Sequence, residues 1–288
     1  GQPVQEQHVD VPAGRQVTVG FSHRFEGPGE HVVEVRLGTD RLTTDNHRWL
    51  SVPVRESIRV LCVSGKPGSA RYVAYALEPS ETDPPRVRPE VVSEIALLEL
   101  DLRPYDCIFL CNVGRFGHDE AGVLYDYVSG GGGLVFFLGD QVVAPSYNLQ
   151  LGGELAGRRI LPAWIGAVAA TAETSYRLDP LEYRHPIVSP FRGYHESGLL
   201  TTPVWKYFKL APHEESGAVV ALAFEGGDPA IVEERIGHGR SILLATAASS
   251  ASVDRSGQSP MPWTAMASST WPRLALSRTL NARRFREP

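Results

Sequence analysis

The chain has 288 residues, 42% hydrophobic and 21% charged, with a formal net charge of −5, a composition ordinary for a soluble globular protein with room for one large domain and a small one. Net negative charge without a basic block argues against nucleic-acid binding, since phosphate contacts need clustered Lys and Arg. The one Arg-rich stretch, Arg278 to Arg286, reads as the solvated end of a last helix or a frayed terminus. No window approaches eighteen apolar residues, and the first residues lack the charged and apolar regions of an export signal.

The opening Gln2-Pro3-Val4 carries no initiator Met, as expected of a piece excised from a longer protein whose anchor or signal lies elsewhere. Residues 1 to about 56 read as all-β. Alternation runs through Gln16-Val-Thr-Val-Gly-Phe21 and His31-Val-Val-Glu-Val-Arg-Leu37, separated by the turn-formers Glu26-Gly-Pro-Gly29. After a turn at Asp40 to Asn46, Arg48 to Val54 continues the pattern. About four strands are too few to close a sandwich alone.

From Ser57 the period changes. Ile58 to Val63 is a near-continuous apolar strand running into Ser64-Gly-Lys-Pro-Gly68, then a helical stretch from Ser69 to Leu77. A Pro-rich loop from Glu78 to Pro89 leads to Val91-Val-Ser-Glu-Ile95, and Leu102 to Asp106 introduces a second core strand, Cys107-Ile-Phe-Leu-Cys-Asn112. His118 to Val128 is an amphipathic helix with acids in its first turn. The run Gly130-Gly-Gly-Gly133 ends it and feeds a third apolar strand that closes on Gly139-Asp140. Strand, helix, strand, helix, strand at this spacing predicts right-handed crossovers and a parallel sheet.

Residues 141 to about 215 lose the alternation and read as an insertion folded over the sheet. Strands resume at Ala218–Phe224, Pro229–Arg235 and Ser241–Thr246, joined at Glu225-Gly-Gly-Asp228 and Gly237-His-Gly-Arg240, with a polar loop to Pro260 and a short helix from about Trp271.

Tyr105-Asp-Cys-Ile-Phe-Leu-Cys-Asn-Val113, Tyr127-Val-Ser-Gly-Gly-Gly-Gly-Leu-Val135, His185-Pro-Ile187, Pro229-Ala-Ile-Val232 and Gly237-His-Gly-Arg240, in this order and spacing, resemble the class I glutamine amidotransferase-like superfamily, specifically its ThuA-like branch. The resemblance implies a flavodoxin-like three-layer α/β domain over 57–288 with a parallel sheet. The upstream Asp40 to Asn46 and Val52-Pro-Val54 extend it. An Ig-like β-sandwich segment before such a domain is similar to the C-terminal part of large bacterial membrane proteins that also carry a von Willebrand factor A domain and an aerotolerance-type N-terminal segment. That likeness implies a membrane-anchored parent with this piece as a soluble, extracytoplasmic arm, and brings no established activity.

A glutaminase of this superfamily needs a Cys on the turn after the third strand, activated by a later His and acid. This chain has Gly139, Asp140 and Gln141 there. The expected function is therefore a non-catalytic interaction or ligand-binding module, with a protein partner or a small-molecule or sugar ligand and no cofactor. The alternative is a hydrolase or other enzyme on a carbohydrate or amide, using Cys111, Asp140 and a His such as His185 or His118. The same residues have plainer readings: Cys111 as a small apolar residue packed at a strand end, Asp140 as a loop-capping carboxylate. Ser64, Gly65, Asn112, Gly139 and Asp140 would wall any pocket at the carboxyl ends of the strands, where parallel sheets bind ligands. Ser64 to Gly68 lacks the full phosphate-loop pattern. The nine histidines show no metal-ligand spacing; His195-Glu196 and His213-Glu214-Glu215 read as solvated loop residues. Cys107 and Cys111 lie roughly 13 Å apart at about 3.3 Å per residue, too far for a bridge on a regular strand. Trp164, Trp205, Trp263 and Trp271 suit a core, a sugar site or a protein surface.

Overall fold

The computed structural model describes residues 4–15, 17–23, 25–38, 46–78, 87–153, 158–194 and 198–248. The Arg-rich stretch, the helix expected from Trp271, and Trp263, Trp271, His195 and Glu196 lie outside the described residues. The chain divides into two compact units, Gly1–Glu56 and Ser57–Pro288.

In the first unit, β1 (Gly29–Arg36) pairs antiparallel with β2 (His47–Val54) in an unbroken register from Gly29↔Val54 to Arg36↔His47. Glu34 anchors one face, accepting from Arg36 at 2.7 Å and meeting His47 Nδ1 at 2.9 Å. The strand expected over Gln16 to Phe21 does not form among the described residues 17–21, whose Val17, Val19 and Phe21 are exposed. Alternation alone does not make a strand; cross-strand neighbours do. The described residues of this unit thus hold two strands rather than four.

The second unit runs, in chain order, β3 (Ile58–Ser64), α1 (Arg71–Leu77), β4 (Val87–Ser93), β5 (Cys107–Cys111), α2 (His118–Ser129), β6 (Gly133–Phe137), α3 (Ala144–Leu151), β7 (Ala163–Ala170), β8 (Leu178–Asp179), β9 (Lys206–Pro212), β10 (Val219–Phe224), β11 (Pro229–Ile236) and β12 (Gly239–Leu244). One mixed eight-stranded sheet has the order β4-β3-β5-β6-β12-β11-β10-β8. The first five strands are mutually parallel and the last three extend it antiparallel. The protein is thus a mixed α/β structure with a large sheet and few helices. The parallel half follows from apolar runs buried on both faces: every residue of β5 is buried, and four of the five of β6. The antiparallel half follows from two tight turns, at Glu225 to Asp228 and at Gly237-His238.

Three departures from the sequence reading have physical causes. Strand β4 begins inside the apparent Pro-rich loop, because Pro89 sits on an edge strand where its missing N–H breaks no ladder. Helix α1 begins at Arg71 rather than Ser69, because the Ser69 hydroxyl is drawn into a bond with the Cys111 carbonyl at 2.8 Å. The stretch 141–215 holds α3, β8 and the separate antiparallel pair β7·β9. Pro145 starts α3 from its first turn, which is where proline is tolerated. Strand β7 is Ala- and Gly-rich with a register shift between Ile165 and Val168, so no alternation is legible in it.

The core gathers where helices meet the parallel strands. Phe116 packs edge-on to Tyr147 with centroids 5.0 Å apart, and Tyr147 to Phe136 at 6.1 Å. The turn into β12 packs as tightly. A Cβ on Gly239 would lie 2.1 Å from the Val128 carbonyl oxygen and 2.3 Å from that of Gly132. Both obstacles are backbone, so the Gly239→Ala variant should lose about 1–3 kcal/mol, as overpacked sites do. Thermal unfolding followed by circular dichroism checks this; an unchanged Tm would show that the α2–β12 junction is looser than described.

Candidate functional site

The carboxyl ends of β3, β5 and β6 lie side by side, and the segments leaving them form one hydrogen-bonded network. After β3 the chain turns sharply. Gly65 N–H donates to the Cys111 carbonyl at 3.0 Å, and the Ser64 hydroxyl donates to the Lys66 carbonyl at 2.7 Å. After β5, Asn112 adopts a left-handed conformation with φ of 56°, which Asn tolerates better than most residues. Its backbone N–H reaches the Phe137 carbonyl at 2.9 Å. Its side chain spans the gap to the β6 turn: Nδ2 donates to Asp140 Oδ1 at 2.7 Å, and Oδ1 accepts from the Gln141 backbone N–H at 2.9 Å.

Both neighbouring glycines are required by this close approach. A Cβ on Gly65 would stand 2.0 Å from the Asn112 carbonyl oxygen, and one on Gly139 would stand 2.3 Å from Asn112 Oδ1. Lys66 completes the arrangement from above, its Nζ 2.6 and 2.7 Å from the two Asp140 oxygens. Lys66 first, then Asn112 and Gln141, hold the Asp140 carboxyl down at about 2. Ser64, Gly65, Asn112, Gly139 and Asp140 are therefore gathered at one edge. Lys66, Ser69 and Gln141 belong with them. Lys66 was legible as part of the turn motif but not as the partner of Asp140, because 74 residues separate them.

Cys111 is at the same edge but beneath it, 1% exposed, and burial pushes its thiol well above the ordinary range. Cys62 is likewise pushed up to about 12 by burial, and Cys107 is also raised. All three cysteines are free. Among the described residues no histidine hydrogen-bonds Cys111 or Asp140. His185 lies elsewhere: Ile187 N–H donates to its Nδ1 at 3.2 Å, leaving the proton on Nε2, which stands 3.1 Å from Glu233 Oε2 on β11. Arg240 also bonds Glu233. Burial works to raise the Glu233 carboxyl, but His185 and Arg240 together hold it below the usual range. His185 thus joins a buried ion pair rather than the thiol or carboxylate with which it was grouped.

Sequence reading missed both glutamates of β11. Glu234, on the opposite face from Glu233, pairs with Arg159 at 2.5 Å. The only signal was a pair of acids directly after the apolar run Ala230-Ile-Val232 within one strand, a pattern that demands buried partners. His213, read as a loop residue, is 9% exposed, with Nε2 3.1 Å from the Leu161 carbonyl oxygen and its ring against Trp164. Burial, then Arg159, lowers its pKa. Among the described residues no group of three or more His, Cys, Asp or Glu is placed to hold a metal ion, and no helix is long and apolar enough to cross a membrane.

No protein-family model matches the chain, and no curated protein does. Among solved structures, two cytoplasmic proteins of Salmonella typhimurium are similar to it. One, from strain LT2, is 15% identical with a TM-score of 0.48, covering 77% of this chain and 86% of that one. The other is 14% identical with a TM-score of 0.47, covering 76% and 85%. A β-galactosidase from Bacillus circulans sp. alkalophilus is 14% identical with a TM-score of 0.43, covering 68% of this chain and 29% of the galactosidase. Likeness at this level assigns no chemistry to the chain.

The Lys66–Asp140 pair gives a pH signature. The folded-state pKa of Asp140 lies below the ~3.9 of an unfolded chain. Its stabilisation is therefore complete above that value and is lost as pH falls through about 2. The Asp140 side chain is 52% exposed, so solvent screening keeps the effect small. The wild-type protein should exceed Asp140→Asn in Tm near neutrality, with the gap closing by about pH 2; a gap independent of pH would mean that the pair contributes nothing ionic.

Proposed function

We propose that residues 57–288 form a non-catalytic, flavodoxin-like module of the class I glutamine amidotransferase-like kind, ThuA-like branch. In this reading residues 1–56 belong to an Ig-like segment, and the whole is an extracytoplasmic arm of a membrane-anchored protein that binds a partner or a small polar ligand. Supporting the fold part, the five parallel strands, renumbered along the chain, stand in the order 2-1-3-4-5 of flavodoxin-like sheets. The observation that carries the functional part is the occupant of the turn after β6. Where a nucleophile would stand, Asp140 is already bonded to Lys66 and Asn112.

A nucleophile needs a base within hydrogen-bond reach and an accessible, deprotonated atom. Cys111 is buried and raised in pKa, and Asp140 has no histidine beside it among the described residues. What the edge offers instead is recognition: Lys66 and Asp140, 39% and 52% exposed, present a fixed donor and acceptor to solvent. The membrane-anchored context rests on the sequence resemblance alone.

The test is turnover. Glutamine hydrolysis, and hydrolysis of nitrophenyl glycosides and simple amides, should stay at background with the whole chain. Turnover that disappears in Asp140→Asn or Cys111→Ser would overturn the non-catalytic reading and install the hydrolase alternative.

A further inference from the structure

Strand β11 runs antiparallel to β12, so Glu234 to Ile236 lie at the amino-terminal edge of the parallel strands, across the sheet from Asp140. A cleft of about 450 Å³ opens there, lined by Tyr125 of α2, the Gly152-Gly153 turn after α3, Arg159 and Glu234, a size suited to a small ligand. Gly152 is a wall that no side chain can thicken, since a Cβ would stand 2.5 Å from the Trp164 ring behind it.

Arg159 and Glu234 form the floor, and their pairing is half complete. Arg159 Nη2 donates to Glu234 Oε1 at 2.5 Å. Among the described residues, Arg159 Nε and Glu234 Oε2 are both buried with no hydrogen-bond partner. The Ser216 hydroxyl beside Glu234 does not fill the gap, because its proton goes to the His213 carbonyl at 2.9 Å. Burial raises the Glu234 carboxyl despite Arg159, as expected of an acid short of donors. One orphan donor and one orphan acceptor, on a pair whose charges cancel, restrict what completes them. A carboxylate or phosphate would face Glu234 and an ammonium would face Arg159. A neutral group that accepts and donates at one atom meets both demands, and that group is a hydroxyl.

We propose that this cleft binds a small, neutral, polyhydroxylated ligand, a monosaccharide or a cyclic polyol, with one hydroxyl accepting from Arg159 Nε–H and donating to Glu234 Oε2. The Arg159 side chain, 31% exposed, lines the cleft beside the buried Glu234. The inference does not rest on the reading of the Asp140 edge.

Glucose, galactose and myo-inositol titrated into the whole chain, followed by saturation-transfer NMR, decide it. At least one should bind saturably with a Kd in the millimolar range, and the sugar and inositol arms separate the two ligand sources. Arg159→Lys, which keeps the charge but lacks Nε–H, and Glu234→Gln should each weaken that binding about tenfold or more. Circular dichroism checks that each is folded, and if one fails to fold the other decides. No saturable binding by any of the three probes would mean that a water alone occupies the gap, and would overturn the proposal. So would binding that survives in the folded variants.

Discussion

The parallel half of the sheet depends on how Asn112 leaves β5. A left-handed residue at a strand end turns its backbone and side chain toward both neighbouring strands at once. Here the backbone N–H holds the end of β6 and the side chain fixes the turn after β6, while its carbonyl packs against Gly65 after β3. Gly65 and Gly139 follow from that placement, because any side chain at either position would overlap Asn112. The Asp140 carboxylate, in turn, is held by Asn112 from below and Lys66 from above. The edge where parallel sheets usually admit a ligand is thus built around an internal polar contact, with the Lys66–Asp140 charge pair at its surface.

The antiparallel half depends on a different constraint. Two consecutive glutamates on β11 project to opposite faces, and each needs a buried cation. Glu233 has Arg240, with His185 Nε2 beside it, and is held below the usual carboxylate range; Glu234 has Arg159, and burial raises it. The same residue type, one position apart, is therefore poised differently on the two faces of one strand. That difference ties the segment around His185 to one face and the segment around Arg159 to the other. Among the described residues, Arg159 Nε and Glu234 Oε2 on the second face have no hydrogen-bond partner, and neither does Glu233 Oε2 on the first.

Much of this was legible in the chain. Near-continuous apolar runs located β3, β5, β6 and the carboxyl-end residues Ser64, Gly65, Asn112, Gly139 and Asp140, because burial on both faces leaves little polar alternation to confuse the reading. The 141–215 stretch was not legible, since β7 is built of Ala and Gly and owes its pairing to β9, some forty residues on. The strand expected at Gln16 to Phe21 had the right alternation and no partner among the described residues. His185 was grouped with Cys111 as a histidine that the fold could bring near it, but its partner is an acid 48 positions later, Glu233, a separation that no local pattern encodes. Lys66 and Asp140 are a pair of the same kind.

On the proposed non-catalytic reading, the Asp140 edge carries no activated nucleophile. Alkylation rates of the three cysteines on the folded chain, measured against pH, test it most directly. Cys111, 1% exposed with its thiol raised by burial, should label as slowly as Cys62 and Cys107. Fast labelling of Cys111 with an apparent pKa below the ~8.5 of a free thiol would contradict it and make that edge an active site.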